Sequence, residues 1–596
     1  MRLRDRLPNY LTEADITDYE TESSYIIYKE DLYTVGVDSH TGVIISRDTN
    51  SKIVFNAVIA AATSGGLIFV KRGTYTLDAT GSAHCVIPAN TVWAGEGDVT
   101  NIVLDACDFY ILNVDNVTIR DIKFTGNFGV YIRATTADHS GYNIINCHFK
   151  DTGVSNSAAL VVNANAFTLS RLKILNCFFD TCGYHGVQFT GGGVPKLIKD
   201  VVISGCYTYK CGWSGVWSTG MDLAESNDLS DTIVSDCIFE QSWESGLHFE
   251  SSRTMTNVLI VNCISLDNGQ KAGGATYGAG YLTTNGVLLK NCVASGNLGA
   301  AGFYMSNGGD AQNCYSKSNV SGYKLWTSAA NNFHLSDCED NGSAYGFKIT
   351  DIVADSTVVG RGLISRNSTT YDLQAQLATG LDIELWSYGA TSGESKTTFL
   401  GSTAYPVTNS RFDIHLFKPV STGAYTVYSQ SCVNIRISGE IVTDMTDAII
   451  LTIPTDVVIS NMRIDSTGTY GIHTVNAVVG VLVKETVIEN VAGAPALTTG
   501  IENGGTAGGL VCERSSIRIQ DVTNTYVGCV FFENWGTSTG TGAEQAISHL
   551  LSGTPTLVLL SDIETAALAY QSAAAAADHI HITAILNKDY AWYARL

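Results

Sequence analysis

The sequence predicts an all-β chain wound as a parallel β-helix, a solenoid, and three observations carry that expectation. The first is a repeat. Between about residues 140 and 350 the segments NCHF, NCFF, GCYT, DCIF, NCIS, NCVA, NCYS and DCED align on Cys147, Cys177, Cys206, Cys237, Cys263, Cys292, Cys314 and Cys338, at successive spacings of 30, 29, 31, 26, 29, 22 and 24. A period in this range marks a stacked architecture. The second is the return in each unit to Gly followed by an apolar–variable–apolar triplet, as in Gly186-Val187-Gln188-Phe189, Gly215-Val216-Trp217-Ser218 and Gly246-Leu247-His248-Phe249. Such alternation is a strand signal. The third is the lack, inside the repeat, of the helical periods that a βαβ array needs between its strands.

Stacked coils turn equivalent positions into ladders. A small apolar thiol packs well on the thiol above it, so the cysteines are expected inside. Asn146, Asn176, Asn262, Asn291 and Asn313 form a second expected ladder, bonding backbone at a bend. A zinc site calls for CxxC-type pairs, and the sequence has none.

Composition sets the outer bounds. The chain has 596 residues, with 35 Lys+Arg against 57 Asp+Glu and a net charge of −22. That balance argues against sequence-independent nucleic-acid binding, which requires phosphate neutralisation. No run of 18 apolar residues exists, so no membrane span is expected. The first residues, Met1 to Pro8, lack an apolar core and do not read as a secretory signal. Fifteen cysteines without such a signal suggest folding in a reducing cytoplasm.

In chain order, residues 1–22 read as a polar tail for attachment. Residues 23–80 hold a hairpin, then the best helix of the sequence at 50–63, with Thr49 as N-cap, Gly65-Gly66 as its end, and Ile53, Ala57, Ala60 and Ala61 on one face. An apolar strand, Leu67-Ile68-Phe69-Val70, and the turn Gly73-Thr74-Tyr75 follow. This succession resembles the N-terminal start of the pectate-lyase-like superfamily of right-handed β-helices, which includes phage tailspikes and many polysaccharide-cleaving enzymes. Lys71-Arg72 departs from the proline usual before that turn. The resemblance covers about residues 43–350. It implies a right-handed solenoid whose open end, otherwise an exposed sheet edge, is capped by the helix.

Residues 81–350 are then the Cys-ladder β-helix, 351–424 an irregular or inserted segment, and 425–535 further coils. Residues 536–596 change style. Gly540-Thr541-Gly542, Ile547-Ser548-His549, Thr554-Pro555-Thr556 and Tyr590-Ala591-Trp592 resemble a small C-terminal β module of phage tail fibres and spikes, although His549-Leu550-Leu551 departs from the usual His-Gly-Leu. In those proteins the module often joins three chains, which implies a homotrimer. His549, His579 and His581 read as structural polar groups rather than metal ligands.

Ladders also let an outward face be read. Two residues beyond the repeat glycine stand Gln188, Trp217, His248, Tyr304, Lys324 and Lys348; four beyond it stand Thr190, Thr219, Glu250, Ser306, Trp326 and Thr350; seven beyond the cysteine stand Tyr184, Trp213 and Glu244. The stretch from Gly220 to Asp231 carries Asp222, Glu225, Asp228 and Asp231 and reads as a loop projecting beside this face. Aromatic planes with carboxylates suit a glycan groove. Tyr184, Gln188, Trp213, Trp217, His248 and Tyr304 are the candidate substrate contacts, and two of Asp222, Glu225, Glu244 and Glu250 the candidate acid and base. Paired carboxylates at about 5–5.5 Å or 6.5–9.5 Å serve retaining or inverting glycoside cleavage. The NTD, DD, GHG and RIK signatures of polygalacturonases, the EF-hand, the P-loop and HExxH are all absent. No metal and no cofactor are expected.

The combined expectation is a viral tailspike or fibre. It would be made in the host cytoplasm, carried on the virion tail, joined to other tail proteins through its N-terminus, and act on a polysaccharide of the host surface by binding and cleavage. Three alternatives stay open: a non-enzymatic receptor-binding or structural virion protein, a secreted monomeric polysaccharide lyase or hydrolase, and a cellular surface adhesin.

Overall fold

The computed structural model describes residues 23–79, 84–153, 158–192, 196–212, 218–250, 252–271, 278–353, 355–388, 396–418, 425–443, 445–466, 468–476, 478–489, 499–503, 510–513, 516–518, 530–539, 544–548, 557–562, 579–583 and 589–595. The chain forms two compact units, residues 1–324 and 325–596. Trp213 and Trp217 lie outside the described residues.

Unit one begins with three antiparallel strands, β1 (Tyr25–Glu30), β2 (Tyr33–Asp38) and β3 (Ile44–Asp48). Helix α1 (Ser51–Ala61) follows. Its N-cap is Asn50, not Thr49: the Asn50 side chain accepts from the Lys52 N–H at 3.0 Å. The buried face also differs from expectation. Val54, Phe55 and Val58 are buried, whereas Ile53 is 41% exposed. The reason is Phe55, whose ring packs between Tyr75 at 5.7 Å and Trp93 at 5.8 Å and turns its own side of the helix inward. Strand β4 (Gly66–Val70) pairs in parallel with β1 and starts the solenoid.

Each coil then supplies a long and a short strand to one parallel sheet (sheet I) and one strand to another (sheet II). One coil is Leu169–Leu175, Phe178–Asp180 and Val187–Thr190. The next is Leu197–Ser204, Tyr207–Tyr209 and Met221–Asp222, and the next Asp228–Ser235, Ile238–Glu240 and Leu247–His248. Every pairing among them is parallel and in register.

The repeat cysteines lie in the interior, buried and free. Cys177, for example, donates through Sγ to the Leu175 carbonyl at 3.4 Å and to the Ile144 carbonyl at 3.5 Å. Cys182 and Cys211 make a second thiol ladder beside it. Phe124, Phe149 and Phe179 stack at 5.2 and 4.9 Å. Asn146, Asn176, Asp236, Asn262, Asn291 and Asn313 occupy the bend with φ of 49–54° or 55°, a conformation that short polar side chains tolerate. Three of these side chains bond along the ladder: Asn291 Nδ2 donates to Asn262 Oδ1 at 3.3 Å, and Asn262 Nδ2 to Asp236 Oδ1 at 3.4 Å.

Unit two is also a parallel solenoid. Thr357–Arg366, Leu381–Tyr388, Val407–Lys418, Cys432–Thr443 and Pro454–Ser466 stack in parallel on one side. Tyr371–Gln376, Lys396–Leu400, Tyr425–Ser429, Asp447–Leu451 and Tyr470–Thr474 stack on another. The described residues of the 351–424 stretch therefore include stacked strands of the solenoid, where the sequence predicts an irregular or inserted segment. The Cys signal vanishes there because Leu363, Ile383, Leu385, Phe412, Ile414 and Leu416 fill the interior. At the C-terminal end, Val530–Thr539, Leu557–Asp562 and Asp589–Arg595 pair antiparallel, as do Glu544–Ser548 and His579–Thr583. No helix among the described residues is long and apolar enough to cross a membrane.

Candidate functional site

The register of sheet II builds the site. Val161, Gln188, Asp222, His248, Leu282 and Tyr304 are neighbours on successive strands. Upstream, the same column holds Tyr110 and Tyr131, with ring centroids 5.9 Å apart. Asp222, not Trp217, stands between Gln188 and His248. The repeat glycine of this coil is Gly220, because Gly220-Met221-Asp222 pairs with Gly186-Val187-Gln188 on one side and Gly246-Leu247-His248 on the other. The Gly220–Asp231 stretch is accordingly no projecting loop. Met221, Leu223 and Ala224 are wholly buried and Asp228 opens the next long strand.

The expected side chains converge around this column. Asp222 Oδ2 lies 3.5 Å from His248 Nδ1, and His248 Nε2 lies 4.0 Å from Glu250 Oε2. The Ala224 N–H donates to Asp222 Oδ1 at 3.3 Å. Gln188 Nε2 donates to Glu225 Oε2 at 2.6 Å. Lys271 Nζ lies 3.3 Å from Glu244 Oε1. His185, Gln188, Asp222 and Glu244 form a buried floor. Tyr184, Glu225 and His248 are half-buried above them, and the Glu250 side chain is 48% exposed. Tyr304 stands apart, buried two coils further on, with Lys324 Nζ 4.2 Å from its ring centre.

The electrostatics separate the carboxylates. Burial works against ionising Asp222, but the adjacent His248 outweighs it, with the Ala224 N–H bond in support, and holds this carboxyl below its ordinary range. His248 is raised in turn: burial opposes its charge, and Asp222 and Glu250 overcome that opposition. The two shifts have the signs of an attraction between Asp222 and a protonated His248 at 3.5 Å. Glu225 is raised by burial and by the charge of Asp222, only partly offset by its bonds to Thr190 and Gln188. His185 is driven down to about 4 by burial, so it is neutral. Its Nδ1 is bonded to Thr219 Oγ1 at 3.0 Å and accepts from the Thr219 N–H at 3.1 Å. Two carboxyls with pKa values pushed apart, one lowered and one raised, are the arrangement used for acid–base work.

Sequence reasoning missed His185, Lys271, Tyr110 and Tyr131. The first was legible in Tyr184-His185-Gly186, and the tyrosines in the same triplet periodicity. Among the described residues no group of three or more His, Cys, Asp and Glu is placed to hold a metal ion.

No family model and no curated protein matches the chain. Solved structures do. The tailspike gp49 from Pseudomonas phage LKA1 is 11% identical, with 91% of this chain and 92% of that one covered at a TM-score of 0.35. The gp54 tailspike of Acinetobacter baumannii phage AP22, solved with a capsular saccharide, is 8% identical over 93% and 94% at 0.34. ORF18 of Geobacillus virus E2 is 13% identical over 62% of this chain at 0.30, and the match spans 58% of that protein's length.

Proposed function

We propose that the chain is a tailspike- or fibre-type virion protein whose unit one binds a host-surface polysaccharide along the outer face of sheet II and cleaves it at the Asp222–Glu225–His248 cluster. The observation that carries this reading is the in-register Gln188–Asp222–His248 column, with the Glu225 carboxyl raised by burial and the Asp222 carboxyl held below its ordinary range. From Tyr110 to Tyr304 the column crosses seven strand steps. At about 4.8 Å each that is roughly 34 Å, room for several sugar units.

In this mechanism Glu225 gives its proton to the glycosidic oxygen as the bond from that oxygen to the anomeric carbon breaks. Water supplies hydroxide to the anomeric carbon, and Asp222 accepts its proton. Gln188 holds Glu225 in place, and His248 keeps Asp222 ionised. Glu244, neutralised by Lys271, orients hydroxyls. Incubation with a panel of bacterial surface polysaccharides tests the reading. New reducing ends from the wild-type chain and none from Glu225→Gln support hydrolysis. Products carrying a new ultraviolet-absorbing double bond would mean a lyase, and binding without release would mean a receptor-binding protein.

One observation favours self-association. On sheet I of unit one the outward columns Val202, Ile233, Leu259, Leu288 and Ile238, Ile264, Val293 are apolar, and Ile233 is 43% exposed. Parallel strands that are apolar on both faces are ordinarily covered on both. A homotrimer, with the C-terminal module joining its chains, supplies that cover. Light scattering on the full chain and on one ending at residue 535 checks it: a trimer that falls to single chains on truncation is expected. Attachment of residues 1–22 to other tail proteins belongs to the same reading.

A further inference from the structure

Unit two carries a groove of its own, of about 640 Å³, lined by Arg411, Asp413, His415, Ser438, Glu440 and Arg463 among others. Its floor is a break in the strand register. Between Ile437 and Gly439 the facing strand holds one extra residue, with Asn461 at φ 52° and Gly439 at φ 122°. A Cβ at Gly439 would stand 2.1 Å from the Ile414 carbonyl oxygen, so only glycine permits this close approach. Bulges of this kind bend a sheet and re-aim its side chains.

An accounting of the charges on this face leaves a remainder. Asp382 is held by Arg361. Glu384 accepts from Trp386 Nε1 at 3.2 Å. Asp413 accepts from Ser438 Oγ at 3.1 Å and lies 3.6 Å from His415 Nε2. Glu440 is paired with Arg463 at 3.1 Å, and Glu485 and Asp465 are engaged as well. Arg411 and Arg436 are not. They face each other across adjacent strands, both exposed, and neither has an ion pair or hydrogen bond among the described residues. Like charges directly opposite on a sheet are destabilising, and two adjacent guanidiniums present the planar donor forks that carboxylates fit.

An aromatic stack ends at the same place. Trp386 and His415 lie on successive strands with rings 4.0 Å apart and 9° from parallel. The next position is Glu440, and the groove is lined by His415 but not by Trp386. From Arg411 to His415 is four residues along one strand, about 13 Å, or two to three sugar rings. Arg411 lines the groove, and Arg436 stands beside it on the next strand without lining it. We propose that this groove is a second saccharide site, specific for a carboxylated glycan: a uronic acid carboxylate at its Arg411 end bridges Arg411 and Arg436, and the following rings run past Asp413 to His415. The inference rests on residues of unit two alone and stands or falls separately from the cleavage site of unit one.

Calorimetric titration of the full chain with a galacturonate hexamer, and with the same hexamer after its carboxylates are reduced to alcohols, tests it. The acidic hexamer binds and weakens with salt, and the reduced one binds at least about tenfold more weakly. Arg411→Ala with Arg436→Ala removes that difference, and the double Lys variant keeps part of it. An unchanged melting curve of the double Ala variant shows that the fold is intact. Asp222→Asn binds the acidic hexamer as the wild type does. The proposal is overturned if the acidic hexamer does not bind, if both hexamers bind alike, if the double Ala variant binds as the wild type, or if Asp222→Asn abolishes binding. A change in mass by light scattering on Arg411→Glu with Arg436→Glu also overturns it, because the face would then be an interface between copies of the chain.

Discussion

The two sheets of unit one share an interior and differ outside. Inward, Val234 and Ile260 of sheet I and Leu247 and Phe303 of sheet II are equally buried. Outward, across the same coils, sheet I shows Val202, Ile233, Leu259 and Leu288, while sheet II shows Gln188, Asp222 and His248. The interior ladders fix the stack whatever lies outside, so the outer columns are free to specialise. An apolar column suits a covering partner. A buried, hydrogen-bonded column of acids and histidines has no such explanation, because burying charge is costly unless it is paired or used.

The largest effect that would sharpen this contrast is chemical. Glu225→Gln keeps the shape of the sheet II face and removes the proton. Polysaccharide cleavage should fall by about 10²–10⁴-fold, with no change in the mass of the assembly. A variant that retained full cleavage would take the acid role away from Glu225.

An interior change should act on both faces at once. Phe149 is buried in the Phe124–Phe149–Phe179 stack. Phe149→Ala should destabilise the chain by about 3–5 kcal/mol, read as a lower denaturation midpoint, with assembly and glycan binding weakened together. If only one of the two suffered, the sheets would not share one core.

Acid should act through the sheet II floor. His185 is buried and neutral, with its pKa lowered to about 4 from 6.5. Below pH 6.5 the unfolded chain takes up a proton that the folded chain refuses, so stability is lost as pH falls from 6.5 toward 4. The loss is at most about 3 kcal/mol. Asp222 works in the same direction at lower pH: its depressed pKa contributes stability that is lost as pH falls through its folded value. His248 has the opposite sign, its contribution being lost as pH rises through its raised pKa. Denaturation midpoints of wild type and His185→Asn from pH 7 to pH 4.5 check the first of these. The variant should show the shallower decline.

The interior was readable from sequence because a stacked coil admits few side chains at a crowded position, and thiols recur there visibly. The outer columns were harder. Between Cys211 and Gly220 lie five more positions than between Cys182 and Gly186. That extra stretch contains Gly215-Val216-Trp217, which mimics the repeat triplet and displaced Asp222 from the column it occupies. The stretch 351–424 reads as irregular in sequence for the converse reason: Leu, Ile and Phe replace the thiols, and their more varied pattern carries no period. The apolar outer face of sheet I stood in plain view as Val201-Val202-Ile203, Ile233-Val234 and Val258-Leu259-Ile260. Runs without polar alternation mark strands covered on both faces, a signal that the cysteine ladder overshadowed.

The smallest expected effect separates two positions of one column. Asn143, Lys173, Val202, Ile233 and Leu259 are successive neighbours on sheet I, polar in the first coils and apolar in the later ones. Ile233→Lys places a charge in the apolar stretch and should weaken self-association by roughly tenfold or more, since an ammonium buried without a partner is costly. Lys173→Ala, two coils earlier, should change neither the mass nor the stability beyond about 0.5 kcal/mol. Sedimentation of both variants across a dilution series reads the difference. Equal weakening would mean that the partner covers the whole column, polar coils included. No weakening from Ile233→Lys would leave the apolar stretch uncovered by another copy and return the assembly to the C-terminal module alone.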